Sequence, residues 1–173
     1  MTKTTDTRPA LRRAWLTALL ALAPALAWAA GGGGGGAGGG NSGPPGASDP
    51  DYAAAVKAIK AGDFAGAIPR LKAYVGRVPN DAYGENWLAY AYRKSGQLDA
   101  AFEHYDKALA IDPNHLGAHE YAGEAYLMVG NLAKAEEHLK ALDKLCFLPC
   151  EEYTDLKKEV AAYKARNGAT AAR

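Results

Sequence analysis

Residues of three different types recur along this chain at one spacing. Gly62, Gly96 and Gly130 stand 34 residues apart, Ala67, Ala101 and Ala135 keep the same interval, and Pro79-Asn80 returns 34 residues later as Pro113-Asn114. Two places after each glycine comes an apolar side chain: Phe64, Leu98 or Leu132. A period of this length marks a unit that stacks on its own copies, because one unit is too short to bury an apolar face alone. Apolar residues follow helical spacing on both sides of each glycine, which predicts a helix-turn-helix unit used three times. The glycine suits the turn. The alanine suits the closest crossing of the two helices, where a larger side chain would push the backbones apart.

This register predicts helices at about 51–61 and 65–77, 82–95 and 98–111, and 115–129 and 132–146, in units of about 48–81, 82–115 and 116–149. Pro69 is the one local conflict; placed near the first turn of its helix it costs little and can shift the helix start. A seventh helix is expected over about 151–166, since Tyr153, Leu156, Val160 and Tyr163 share one face while Lys157, Lys158, Glu159 and Lys164 occupy the rest. Such a helix covers the apolar edge of the last unit, and residues 167–173 are expected to be a disordered tail.

The repeated residues resemble the tetratricopeptide repeat (TPR) family. The second unit carries the resemblance most fully, with Leu88, Ala89, Tyr92, Gly96, Ala101, Tyr105, Ala108 and Pro113. The third matches at Gly123, Tyr126, Gly130, Ala135 and Leu139, with Phe147 in place of the closing proline. The first keeps Gly62, Ala67, Leu71 and Pro79, with Ala58 in place of an aromatic residue. The resemblance implies an all-α, right-handed solenoid of three repeats over 51–166, closed by the C-terminal helix as a cap. It also implies a concave groove lined by the first helix of each repeat. The family's contact positions fall on Tyr52, Val56, Ile59 and Lys60, on Tyr83, Asn86, Tyr90, Arg93 and Lys94, and on Glu120, Glu124, Leu127 and Met128. Aromatic anchors beside mixed charges suit a protein or peptide partner. A clamp for carboxylate tails is not supported, because Val56 and Glu124 stand where that clamp needs asparagine.

The first 50 residues have a different composition. Arg12-Arg13 precedes an apolar run from Ala14 to Ala30 that is interrupted by Pro24 and contains Ala27-Trp28-Ala29, an A-x-A pattern. Residues 1–29 are therefore expected to be a secretory signal cut after Ala29, which makes contact with the membrane transient and the mature location periplasmic. The run is short for a transmembrane anchor, which needs roughly 20 apolar residues. The arginine pair also fits a twin-arginine signal, so the export route stays open between that and the general one. Residues 30–50, rich in glycine and proline, are expected to be a disordered linker. Four of the 20 basic residues and one of the 19 acidic ones precede the expected cut, leaving 16 against 18. With no basic run, that balance excludes nucleic acid as a partner.

Chemistry-bearing residues are few. Cys146 and Cys150 are the only cysteines, and for an exported chain a disulfide across the three-residue gap is the default. The alternative is a metal- or redox-handling accessory protein built on the same two thiols. The segment from Cys146 to Tyr153 also resembles one in exported proteobacterial TPR proteins. His115 and His119 lie one helical turn apart, but the first falls at a helix start and the second at a packing position. No metal site and no cofactor are expected. No nucleophile-base-acid order or phosphate-binding glycine loop can be assembled, so the expected function is a non-catalytic adaptor or scaffold. The processing expectation is checked by intact mass: protein recovered from the periplasm begins at or near Ala30, and a retained Met1 refutes it.

Overall fold

A computed structural model of the chain describes residues 46–171, with side chains to Asn167. The expected signal and most of the expected linker lie outside the described residues. Among the described residues seven helices follow one another: α1 (Pro50–Lys60), α2 (Phe64–Arg77), α3 (Ala82–Lys94), α4 (Leu98–Ile111), α5 (Leu116–Met128), α6 (Leu132–Leu145) and α7 (Glu151–Ala171). They form three antiparallel hairpins, α1–α2, α3–α4 and α5–α6, with α7 packed on α5 and α6. The fold is an all-α solenoid.

The three hairpin turns are built alike. Gly62, Gly96 and Gly130 have φ of 80°, 78° and 78°, a left-handed conformation that other residues avoid. At each, the glycine amide and the next amide reach back to helix carbonyls: Gly62 to Ile59 and Asp63 to Ala58, Gly96 to Arg93 and Gln97 to Tyr92, Gly130 to Leu127 and Asn131 to Tyr126. This paired pattern satisfies carbonyls that a helix end leaves open. The residue after the glycine then starts the next helix; Asp63 and Asn131 cap it through their side chains, accepting from Gly66 and Lys134. Between hairpins, Asp112 is extended and Val78, at ψ of 71°, has likewise left the helical region, which the residue before a proline disfavours, and this ends α2 and α4.

Ala67, Ala101 and Ala135 are fully buried, as the close crossing requires. One core cluster runs from α1 to α5 around Leu71, Tyr74, Leu88 and Tyr105, and a second joins α5, α6 and α7 around Leu142, Leu156 and Val160. On α7 the buried face is the expected one, with Leu156 set over Gly123, where a Cβ would meet the leucine methyl at 2.5 Å.

Two boundaries differ from expectation, and Pro69 does not move a third. Residues 46–49 form a turn, not linker: the Asp49 amide bonds to the Gly46 carbonyl at 2.8 Å, Asp49 caps α1, and Arg77 holds Asp49 and Asp51 at 3.0 and 2.8 Å. Pro69 is the sixth residue of α2 and does not shift its start, because the Asp63 cap sets it; Pro69 is exposed there. α7 continues to Ala171, through most of the expected tail. Ala101→Leu places three added heavy atoms at the closest crossing of the middle hairpin, and overpacking of this kind costs about 1–3 kcal/mol, or a fall of roughly 4–12 °C in melting temperature. Thermal unfolding followed by circular dichroism checks it.

Candidate functional site

α3 touches α1 and α5, and α5 touches α7, whereas α2, α4 and α6 do not meet one another among the described residues. The first helices of the hairpins therefore line the inner side and the second helices splay on the outside. The inner face carries a run of rings. Tyr90 of α3 lies 5.8 Å from Trp87, 5.9 Å from Phe64 and 4.9 Å from Tyr121 of α5. The Arg93 guanidinium sits 5.2 Å from the Tyr90 ring and 5.4 Å from Tyr121, and it pairs with Glu124. Lys94 is 5.7 Å from the Phe64 ring centre. Such contacts favour a cation over an aromatic face and fix the rings as a rigid platform.

Two clefts flank this platform. One, of about 260 Å³, is lined by Arg93, Glu124, Leu127, Met128, Glu159 and Arg166. The other, of about 340 Å³, lies at the α4–α5 corner and includes Tyr83, Asn86, Trp87, His115, Tyr121 and Glu152. Glu120, one turn before Glu124 on α5, is 8 % exposed. Burial, and then the neighbouring Glu124, Glu152 and Asp155, push its pKa up to about 8.

Most of the positions expected to line the groove meet on α3 and α5, but in different states. Tyr83 and Met128 are open, at 42 % and 55 % exposure; Tyr90, Glu124 and Leu127 are half-buried; Lys94 is exposed. Asn86, Arg93 and Glu120 are buried polar groups. Tyr52 is a correction. It is 3 % exposed, packed edge-on against Tyr74 at 5.0 Å, and so belongs to the core. The turn at 46–49, expected as linker, closes over it: a Cβ on Gly46 would come within 3.0 Å of the Tyr52 ring. Ile59 is likewise buried and Val56 packs on the core, so α1 contributes little beyond the exposed Lys60.

The groove instead extends towards the C-terminus. Counted from the first residue of each helix, Asp155 and Glu159 of α7 hold the places of Glu120 and Glu124 on α5. One extra residue before α7 breaks the 34-residue count and hides this equivalence, and reading α7 only as a cap missed Glu152, Asp155 and Glu159. Trp87 and Tyr121 were missed because they sit between the family's contact positions.

Cys146 and Cys150 are bonded to each other, with Cα atoms 5.8 Å apart, joining the end of α6 to the residue before α7. In this form neither offers a thiolate to a metal. His115 caps α5, its Nδ1 accepting from the Ala118 amide, while His119 donates from Nε2 to the Pro113 carbonyl and pairs with Nδ1 of His138 at 3.0 Å. Among the described residues no three His, Cys, Asp or Glu side chains are grouped as a metal would need.

Models of the tetratricopeptide repeat match residues 52–115 and, in an overlapping span, 92–145. The chain belongs to the TPR family. Its helices superpose on the Yersinia enterocolitica type III secretion translocator chaperone SycD, at a TM-score of 0.61 and 23 % identity over 68 % of this chain and 83 % of that one. PcrH, in complex with the chaperone-binding region of PopD, gives a TM-score of 0.61 at 22 % identity over 68 % and 90 % of the two chains. The P58(IPK) TPR domain gives 0.59 at 21 % over 70 % and 33 %. No match is found among curated proteins.

The raised Glu120 pKa has a stability consequence of definite sign. The folded state holds this proton more tightly than the unfolded chain, whose value is near 4.5, so the contribution of Glu120 to stability is fully present below that pH and is lost as pH rises towards about 8. Glu120→Gln is expected to leave the melting temperature near pH 4.5 unchanged and to raise it by at least ~4 °C at pH 9. Thermal melts of both proteins across that range check it.

Proposed function

We propose that this protein is an exported, non-catalytic TPR adaptor that holds a segment of another polypeptide in the groove between α3, α5 and α7. The observation that carries the reading is the platform of Trp87, Tyr90 and Tyr121 with Arg93 set over it, facing inward between two open clefts. Rigid aromatic and arginine side chains are the residues that dominate protein interfaces, because they offer large contact areas with little left to order on binding. The fold shared with SycD and PcrH adds support, since solved complexes of those two hold a peptide of YopD and a region of PopD. Export and a periplasmic location rest on the signal pattern of residues 1–29, and the bonded Cys146 and Cys150 agree with an oxidising compartment.

A peptide library displayed on phage and panned against the whole chain tests the groove. Selected peptides should compete with one another and protect amides of α3 and α5 from exchange. Arg93→Ala is a poor probe, because it would strand the half-buried Glu124. Tyr83→Ala and Met128→Glu change exposed side chains and should weaken binding about tenfold with melting within ~2 °C of the parent. Tyr92→Ala should do the reverse, costing roughly 3 kcal/mol of stability, since its ring is buried and stacked on His104. Protection confined to α2, α4 and α6 would refute the assignment.

A further inference from the structure

The cavity at the α4–α5 corner contains polar atoms that the fold leaves unused. Asn86 is 5 % exposed and His115 7 %, both line the cavity, and Asn86 Oδ1 and His115 Nε2 are buried without a hydrogen-bond partner. Because His115 Nδ1 accepts the Ala118 amide at 3.1 Å, the neutral ring carries its proton on Nε2. Burial favours that neutral form. The cavity therefore offers an acceptor from Asn86 and a donor from His115. Gly117 lies beside both: a Cβ there would be in ordinary contact, 3.5 Å from Asn86 and 3.6 Å from His115.

The walls add charge and ring faces. Tyr83, Trp87 and Tyr121 are aromatic, Asp112 and Glu152 are acidic, and among the described residues no lysine or arginine lines the space. An acidic side chain entering here would meet two carboxylates, and an aliphatic one would leave Asn86 and His115 dry and unpaired. A cation is attracted by both the rings and the carboxylates, and its N–H groups suit the Asn86 oxygen. Building on the adaptor reading above, the geometry points to this cavity as the subsite for a basic side chain, arginine or lysine, of the bound polypeptide, with His115 donating to the main-chain carbonyl of that residue.

Three small probes test it on the whole, isotope-labelled chain by NMR: the N-acetyl, N-methylamide derivatives of arginine, lysine and citrulline. Citrulline keeps the shape of arginine and its peptide groups but lacks the charge. The arginine or lysine probe should give saturable shifts at the Trp87 indole, the Gly117 amide and the His115 ring, with a dissociation constant on the order of millimolar. The citrulline probe should bind about tenfold more weakly, and Glu152→Gln should weaken the basic probe about fivefold while leaving the citrulline probe unaffected. Equal binding of arginine and citrulline, no effect of Glu152→Gln, or no saturable shift at these three residues would each overturn the subsite. The groove reading fails separately. Library peptides that protect α3 and α5 yet lack a basic residue would refute the subsite and leave the groove standing, whereas a basic probe that binds when no library peptide does would refute the groove as a polypeptide site.

Discussion

The close crossing inside each hairpin is the contact from which the rest of the structure follows. Ala67, Ala101 and Ala135 have no side chain beyond Cβ to hold the helices apart, and the left-handed glycine before each one reverses the chain in so few residues that the second helix must lie against the first. Contacts between hairpins use the same device. A Cβ on Gly84 would come within 2.6 Å of the Tyr74 ring, and one on Gly123 within 2.5 Å of Leu156. With both interfaces this tight, the first helices stand side by side, and the groove between α3, α5 and α7 is a consequence of spacing set elsewhere.

That groove contains charge the core alone would not favour. Arg93 is almost fully buried, and its cost is offset by Glu124 and by the faces of Tyr90 and Tyr121. Arg93 eases the ionisation of Glu120 only in part, because burial and the carboxylates of Glu124, Glu152 and Asp155 outweigh it. Burying a carboxyl group among other carboxylates works against stability, and local violations of this kind concentrate where a surface serves a function. A cation brought near these carboxylates would lower that repulsion, which agrees with the basic partner proposed above.

The fold was legible because its determinants are local and repeated. Each turn needs a glycine, each crossing an alanine, and each chain reversal after α2 and α4 a proline, so a fixed interval exposes all three at once. The groove was harder to read because side-chain exposure depends on neighbours that periodicity does not reveal. Tyr52 occupies a groove position by register, yet the turn at residues 46–49 covers it, and nothing in a glycine-rich stretch announces that its last four residues pack. Asn86 and Arg93 were found by register, but the buried state that gives them their chemistry comes from helices distant in sequence.

α7 brings the two levels together. By its apolar face it is a cap, with Leu156 and Val160 closing the second core cluster; by its opposite register it is one more inner helix, adding Glu152, Asp155 and Glu159 to the groove wall. The additional residue that precedes it lies in the loop spanned by Cys146 and Cys150, which are bonded at the end of α6 and directly before α7. The loop absorbs that residue, so α7 presents to α5 the same helix positions that α5 presents to α3. The bond restrains the loop at both ends. Glu152, Asp155 and Glu159 follow that bonded loop within the first nine residues of α7, so the cap and the acidic wall of the groove belong to one helix.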